Sequence, residues 1–333
     1  MGLRLLALAL AASLAGCGKA PPDPPPAAPD GPPRPPRLPY VAAAPDFSAS
    51  AVTQGLRAER ADCEAPRAHG TVQGDTVWVE HPQHGGECLR AWKAGFPTHG
   101  PAPRVAVFFE GDVWGAQGVP EVYLALTPRS VQAEVEQRAE QMAMPYVMLA
   151  RPGTFGSSGD HMQRRRPAES ALVSLALDAL QRRHGVREWV LLGQSGGGHV
   201  VASLLAMRSD VLCAVPASAP ASPRVRWLLL GYERDSTGYA DSYEPLEHLR
   251  AEGRHPQQRV FVLGDPEDRN TPWASQVLLA GRARALGLHA REVPTRGQGA
   301  ARHGLEDSAH AVAAACAQGL ADDDVVRSVD PVN

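Results

Sequence analysis

The chain of 333 residues is nearly devoid of lysine: Lys19 and Lys93 are its only two, so almost all its positive charge is arginine. Acidic residues slightly outnumber basic ones, 36 to 33, for a net charge of −3. Without a basic excess there is no electrostatic footprint for nucleic acid. Its five cysteines include no cluster with zinc-like spacing, and no metal or organic cofactor is expected. No internal repeat is visible. The one strongly apolar stretch near the start, residues 5–14, is too short to cross a bilayer as a helix. A hydrophobic content of 44% is ordinary for a globular protein, and the length suits one large α/β domain with extras. The preference for Arg, Ala and Pro follows a GC-rich codon usage and carries no functional signal.

The N-terminus reads as a targeting segment. Arg4 supplies a positive charge, residues 5–14 an apolar core, and Leu14-Ala15-Gly16-Cys17 closes it in the small residues of a secretory cleavage site. Small residues followed at once by cysteine resemble the lipobox of bacterial lipoproteins. The resemblance implies a signal peptide over 1–16, a diacylglyceryl thioether and an acylated amine on Cys17, and a stable lipid anchor. Gly18 in place of an aspartate implies, by the same analogy, the outer membrane of a Gram-negative envelope. Residues 17–45 are dominated by Pro and Ala, as in Pro21-Pro22-Asp23-Pro24-Pro25-Pro26. Such a tract lacks the large apolar residues of a core and is expected to be a disordered, polyproline-like tether. The folded domain is then expected over 46–333.

Within that domain, strands and helices are expected to alternate. Residues 71–79 read as two short strands around a Gly74-Asp75 turn, and residues 88–92 as a short helix. Arg104–Phe109, RVAVFF, is a continuous apolar run of the kind found in buried strands. Further strands are expected over 145–150, 188–192, 211–215, 260–263 and 288–293. Helices are expected over 132–142, 169–184 with Gly185 as a stop, 200–207, 272–286 and 305–317. This alternation implies a mostly parallel sheet covered on both faces.

The stretch Val190-Leu191-Leu192-Gly193-Gln194-Ser195-Gly196-Gly197-Gly198-His199 organises the rest. Gly193-Gln194-Ser195-Gly196-Gly197 fits G-x-S-x-G, the nucleophile elbow, and it sits where the elbow must, between a strand and a helix. A strand reversing abruptly into a helix strains the serine, so its neighbours two places away must be small. Serine chemistry also needs a base and an orienting carboxylate. In a doubly wound sheet these groups come from loops at the carboxyl ends of strands. Downstream loops offer Asp268 and then His303, in the order Ser…Asp…His.

On these residues the chain resembles the α/β-hydrolase serine hydrolases, in their prolyl-oligopeptidase-like and dienelactone-hydrolase-like branches. Gly264-Asp265-Pro266-Glu267-Asp268-Arg269-Asn270-Thr271-Pro272 looks like their acid loop, in which the acid precedes a proline by four places. That spacing selects Asp268 and leaves Asp265 as the alternative. Tyr243-Glu244-Pro245-Leu246, Arg302-His303-Gly304-Leu305, and Arg151-Pro152-Gly153 with Gly156-Ser157-Ser158-Gly159 resemble other segments of those families. The resemblance implies a Ser195–His303–Asp268 triad and an oxyanion hole using the N–H of Gly196 together with that of Asp112 or Val113. The turn Glu110-Gly111-Asp112-Val113 departs from the His-Gly common in the family, and its acid must point away from an oxyanion.

The other polar residues receive blander readings. His199, one helical turn after Ser195, is expected to be structural; His310 and His289 are expected to be structural or exposed. Asp160-His161 could line the mouth of the site. Arg164-Arg165-Arg166 reads as a solvated or helix-preceding charge run that could attract anionic substrates. A secreted route permits disulfides; the four cysteines after Cys17 allow three pairings. Neighbourhood favours Cys63–Cys88, and Cys213 suits a buried free thiol equally well. Residues 217–257 form either a cover over the site or a packed connection. The expected function is a membrane-anchored serine hydrolase of carboxylic esters, acting on a small-molecule ester or peptide. The alternatives are a peptidase of prolyl-oligopeptidase type and a catalytically silent binding protein.

Overall fold

The computed structural model describes residues 31–65, 72–115 and 117–329. The leader over 1–16, Cys17, the tether up to residue 30, Thr71 and the last four residues lie outside the described residues. An eight-stranded sheet forms the centre. Its strands are β1 (Asp75–His81), β2 (Gly85–Ala94), β3 (Arg104–Phe109), β4 (Tyr146–Leu149), β5 (Glu188–Gln194), β6 (Val211–Ala217), β7 (Arg259–Gly264) and β8 (His289–Pro294). They lie in the spatial order 1-2-4-3-5-6-7-8. β2 runs antiparallel to both its neighbours, and every other pairing is parallel.

Helices cover both faces. α1 (Pro128–Met142) and α6 (Glu306–Ala317) bury one face with Phe108, Val190, Leu192 and Val215. α2 (Pro167–His184), α3 (Gly196–Met207) and α5 (Trp273–Ala285) bury the other with Val105, Val107, Leu191 and Val262. A strand covered on both sides is apolar at successive positions, and for that reason Arg104–Phe109 reads as an unbroken run. Each such side chain contributes about 1.5–3 kcal/mol when fully buried. Thr127 caps α1 through the N–H of Ser130, and Gly185 ends α2 in the left-handed region at φ +64°.

Three expectations change at the N-terminal edge. Residues 88–92 lie inside β2 and form no helix; all five are buried between layers, which removes the alternation that would have marked a strand. Instead of two strands around Gly74-Asp75 there is one, β1, and the chain turns at residues 82–84. The domain also begins earlier than residue 46. Leu38–Pro39 pairs with Leu56–Arg57, Tyr40 and Ala42 are buried, and Arg34 and Arg37 pair with Asp160 and Glu87. Buried Arg90 donates to the Tyr40 hydroxyl at 2.8 Å and the Ala42 carbonyl at 3.0 Å. The proline content of this tract masks the few residues that hold it down.

Among the described residues there are two disulfides, Cys63–Cys88 and Cys213–Cys316. The first is the expected pair. The second corrects the free-thiol reading of Cys213: it ties β6 to α6 across 103 residues of sequence, a proximity that spacing cannot reveal.

Candidate active site

The sheet places four loops together at the carboxyl ends of β3, β5, β7 and β8. Ser195 stands between β5 and α3 with φ +53° and ψ −117°, a strained conformation for a residue bearing a Cβ. Its N–H donates to the Ala217 carbonyl at 2.8 Å, and its carbonyl accepts the His199 N–H at 3.1 Å. The glycines around it are required by close approach. An ideal Cβ on Gly197 would stand 1.9 Å from the Phe109 carbonyl oxygen, and one on Gly193 would stand 2.5 Å from the Gly197 backbone.

Ser195, His303 and Asp268 come together from separate loops. Ser195 Oγ lies 2.8 Å from His303 Nε2, and His303 Nδ1 lies 2.8 Å from Asp268 Oδ2. A carboxylate only accepts, so Nδ1 carries the proton and Nε2 is left to accept from the serine hydroxyl. Asp268 Oδ1 is held by the N–H groups of Asn270 and Thr271, at 2.8 and 2.9 Å. Asp265 is occupied elsewhere: it accepts from the Gly297 N–H and from Arg302 Nε, both at 2.7 Å. It therefore braces the histidine loop and does not touch the imidazole. Gln194 clamps the same loop. Its amide donates to the His303 carbonyl at 2.7 Å and accepts the Leu305 N–H at 3.0 Å. Nothing in the sequence around Gln194 marks that role.

The turn after β3 shows how an acid can sit beside an oxyanion position. Asp112 Oδ1 lies beside Gly196, where an ideal Cβ would come within 2.0 Å of it. Its carboxylate pairs with Arg151 at 2.9 Å, with Arg164 at 2.9 Å, and with Arg165. Burial alone would raise its pKa, but Arg165, Arg164 and Arg151 hold it well below the usual carboxylate range. Arg151 also binds Glu169 at 2.8 Å, and Arg165 binds Asp235 at 2.7 Å. The arginine run directly precedes α2, with Arg166 as its N-cap, but it is not the solvated stretch: Arg164 and Arg165 are buried, and Arg166 pairs with Asp241 at 2.6 Å. Arg151, Arg164 and Arg165 offset the cost of burial by meeting acids, and Asp112 and Asp235 come from distant parts of the chain.

Val113 is removed as an oxyanion donor, because its N–H donates to His161 Nε2 at 3.2 Å. The N–H groups of Asp112 and Gly196 bond to no protein acceptor among the described residues. His161 is fully buried behind this turn and not at the mouth of the site. Burial, then Arg164 and Arg151, push its pKa well below the ordinary value, so the ring is neutral and can accept from Val113. Asp160 caps the turn at His161 and pairs with Arg34. His199 is structural as expected, with Nδ1 3.1 Å from the Pro220 carbonyl. Buried His310 meets the Tyr146 hydroxyl at 2.9 Å, and exposed His289 pairs with Asp322.

A cleft of about 1290 Å³ opens over Ser195 and His303. Residues 220–236 form one wall, with Arg226 and Trp227 on the helix α4 (Pro223–Leu229) and Tyr232 and Arg234 beyond it. Both readings of 217–257 hold in part: residues up to 236 line the cleft, and the short helix Pro245–His248 packs on α3 and α5. Trp114 and residues 117–121 line the cleft as well. Among the described residues, no group of three or more His, Cys, Asp or Glu side chains could hold a metal ion.

An eight-stranded sheet in this order, one antiparallel strand, and a strained serine between the fifth strand and its helix define the α/β-hydrolase fold. No family model and no curated protein matches the chain. Among solved structures it is similar to Est1E from Butyrivibrio proteoclasticus with ferulic acid bound, at 14% identity over 66% of this chain and 88% of that one, with a TM-score of 0.46. It is similar to acylaminoacyl peptidase from Pyrococcus horikoshii at 15% identity over 73% of this chain and 39% of that one, TM-score 0.46. It is also similar to prolyl oligopeptidase B from Galerina marginata at 12% identity over 78% and 37%, TM-score 0.49. The chain thus spans about two fifths of the length of those peptidases and nearly nine tenths of Est1E.

Proposed function

We propose that this protein is a serine hydrolase acting on carboxylic esters. The observation that carries the reading is the unbroken chain of hydrogen bonds from Ser195 through His303 to Asp268, at 2.8 Å in each step. His303 takes the hydroxyl proton as Ser195 Oγ attacks the carbonyl carbon, and Asp268 orients the imidazole and stabilises its charged form. The N–H groups of Gly196 and Asp112 are free to receive the developing oxyanion. His303 returns the proton to the leaving alcohol, and water then cleaves the acyl-enzyme by the same route in reverse. A silent binding protein would have no need of a strained serine within bonding distance of an oriented imidazole.

Labelling with a fluorophosphonate probe tests the reading. Wild type is expected to be labelled and to hydrolyse short activated esters, and Ser195→Ala to do neither. An unlabelled, well-folded wild type would sink the proposal. Turnover of peptides but not of esters would move the activity to a peptidase.

We further propose that the mature protein is held at the cell envelope by lipid on Cys17, on the strength of the Leu14-Ala15-Gly16-Cys17 sequence. Cys17→Ser is expected to leave the membrane fraction; its retention there would refute the anchor.

A further inference from the structure

Arg226 lines the same cleft as Ser195 and His303. Its guanidinium is fixed on Asn270, with Nε donating to the backbone carbonyl at 3.0 Å and Nη2 to the side-chain carbonyl at 2.6 Å. Both acceptors are neutral. Arg226 forms no ion pair among the described residues, and its Nη1 has no acceptor there.

The remaining charge of the region is accounted for. Arg151, Arg164 and Arg165 are joined to Asp112, Glu169 and Asp235, three cations to three carboxylates, in one closed network. Asp268 is engaged by His303 and by the N–H groups of Asn270 and Thr271. Glu121 is the one other acid of the lining, and exposed Arg234, also in the lining, stands opposite it in the balance. Arg226 is therefore a half-buried cation in no ion pair among the described residues. Burial, and after it the neighbouring Arg165, depress its pKa; Asp235, Asp112 and Asp268 oppose this only in part. A cation in such a position is stabilised by whatever anion enters the cleft. The guanidinium fork, already immobilised by Asn270, presents a free edge suited to a planar carboxylate.

We propose that Arg226 binds a carboxylate of the substrate, so that the ester cleaved at Ser195 is an anionic one. The inference rests on the hydrolase reading and adds the substrate class to it. Arg226 is a specificity residue, and the bond it makes leaves the chemistry at Ser195 as described.

The test compares matched esters that differ only in that charge. One pair is 4-nitrophenyl hemiglutarate and 4-nitrophenyl pentanoate, with the charge on the acyl side. A second pair carries or lacks a carboxylate on the phenol, with the charge on the leaving group. In wild type the anionic member of at least one pair is expected to have the higher kcat/KM, and added salt to reduce that advantage. In Arg226→Gln the ratio of anionic to neutral kcat/KM should fall at least tenfold in that pair, and Arg226→Lys should retain most of it. If Arg226 only fastened α4 to the acid loop, both members would suffer alike and the ratio would stay; that outcome overturns the inference. Fluorophosphonate labelling separates the two levels: a labelled enzyme with an unchanged ratio overturns the substrate class alone, whereas an unlabelled wild type overturns the hydrolase reading and this inference with it.

Discussion

Two aspartates three residues apart show what a residue's role depends on. Asp268 and Asp265 share a loop and a charge, yet one accepts from the imidazole and the other from Arg302 and Gly297. Proline spacing pointed to the first and left the second only as an alternative for the same role; nothing in the sequence marked it as the brace of the histidine loop. Asp268→Asn is expected to lower kcat on an activated ester by at least about 10²-fold, because the imidazole loses the acceptor that sets its tautomer. Asp265→Asn, which loosens the loop without unseating the histidine, should cost roughly tenfold or less. Steady-state kinetics on both variants, with circular dichroism to check the fold, would decide; the reverse order of severity would exchange their roles. Gln194 belongs with Asp265 as a positioning residue. Its position between Gly193 and Ser195 is the variable letter of the motif, so only the bonds to His303 and Leu305 reveal it.

At the scale of elements, periodic segments were legible and short or composite ones were not. The helices over 167–184 and 306–317 lie within a few residues of their expected limits, as caps and apolar spacing act locally. The stretch 88–92 carried neither period, since both its faces are covered, and only its pairing with β1 and β4 makes it a strand. The disulfide between β6 and α6 is a further tertiary fact. It closes a loop of 103 residues, for which loop-closure entropy gives about 4–5 kcal/mol of stabilisation. The loop closed by Cys63–Cys88 spans 25, for which the same relation gives about 3.5 kcal/mol. Thermal melts of Cys213→Ala/Cys316→Ala and of Cys63→Ala/Cys88→Ala should therefore both show a lowered Tm, with the larger drop in the first. Equal or inverted drops would mean that local packing outweighs chain entropy here.

For the whole molecule, buried titratable groups set how stability responds to pH. Burial lowers the pKa of His199 and of His310 to about 4. Unfolded, each binds a proton near its ordinary pKa, so between roughly pH 6.5 and 4 the unfolded chain holds more protons and stability falls as pH falls. Glu110 acts in the opposite sense. Burial, followed by Glu306 and Glu134, pushes its pKa up to about 8, and its share is lost as pH rises from about 4.5 toward that value. A variant isolates the histidine effect. From pH 6.5 to 4.5 the stability lost by wild type should exceed that lost by His310→Gln by about 2 kcal/mol. Urea denaturation at the two pH values measures it, and identical losses would show that His310 is protonated in the folded protein.

The sequence by itself determined what depends on a few adjacent residues: the elbow around Ser195, the alternation that makes a parallel sheet, the order Ser…Asp…His, and the separation of Asp268 from its proline. These are local because backbone strain, capping and strand burial act over a handful of positions. Only the tertiary structure decided the fate of the arginines. Arg164 and Arg165 look like a solvated run until Asp112 and Asp235 are seen to meet them from 52 and 70 residues away, and Arg226 looks like any surface cation until it is seen to line the cleft and to form no ion pair among the described residues. Whether a charge is paired is a property of the space around it, and the chain's order does not record which carboxylates the fold will bring there.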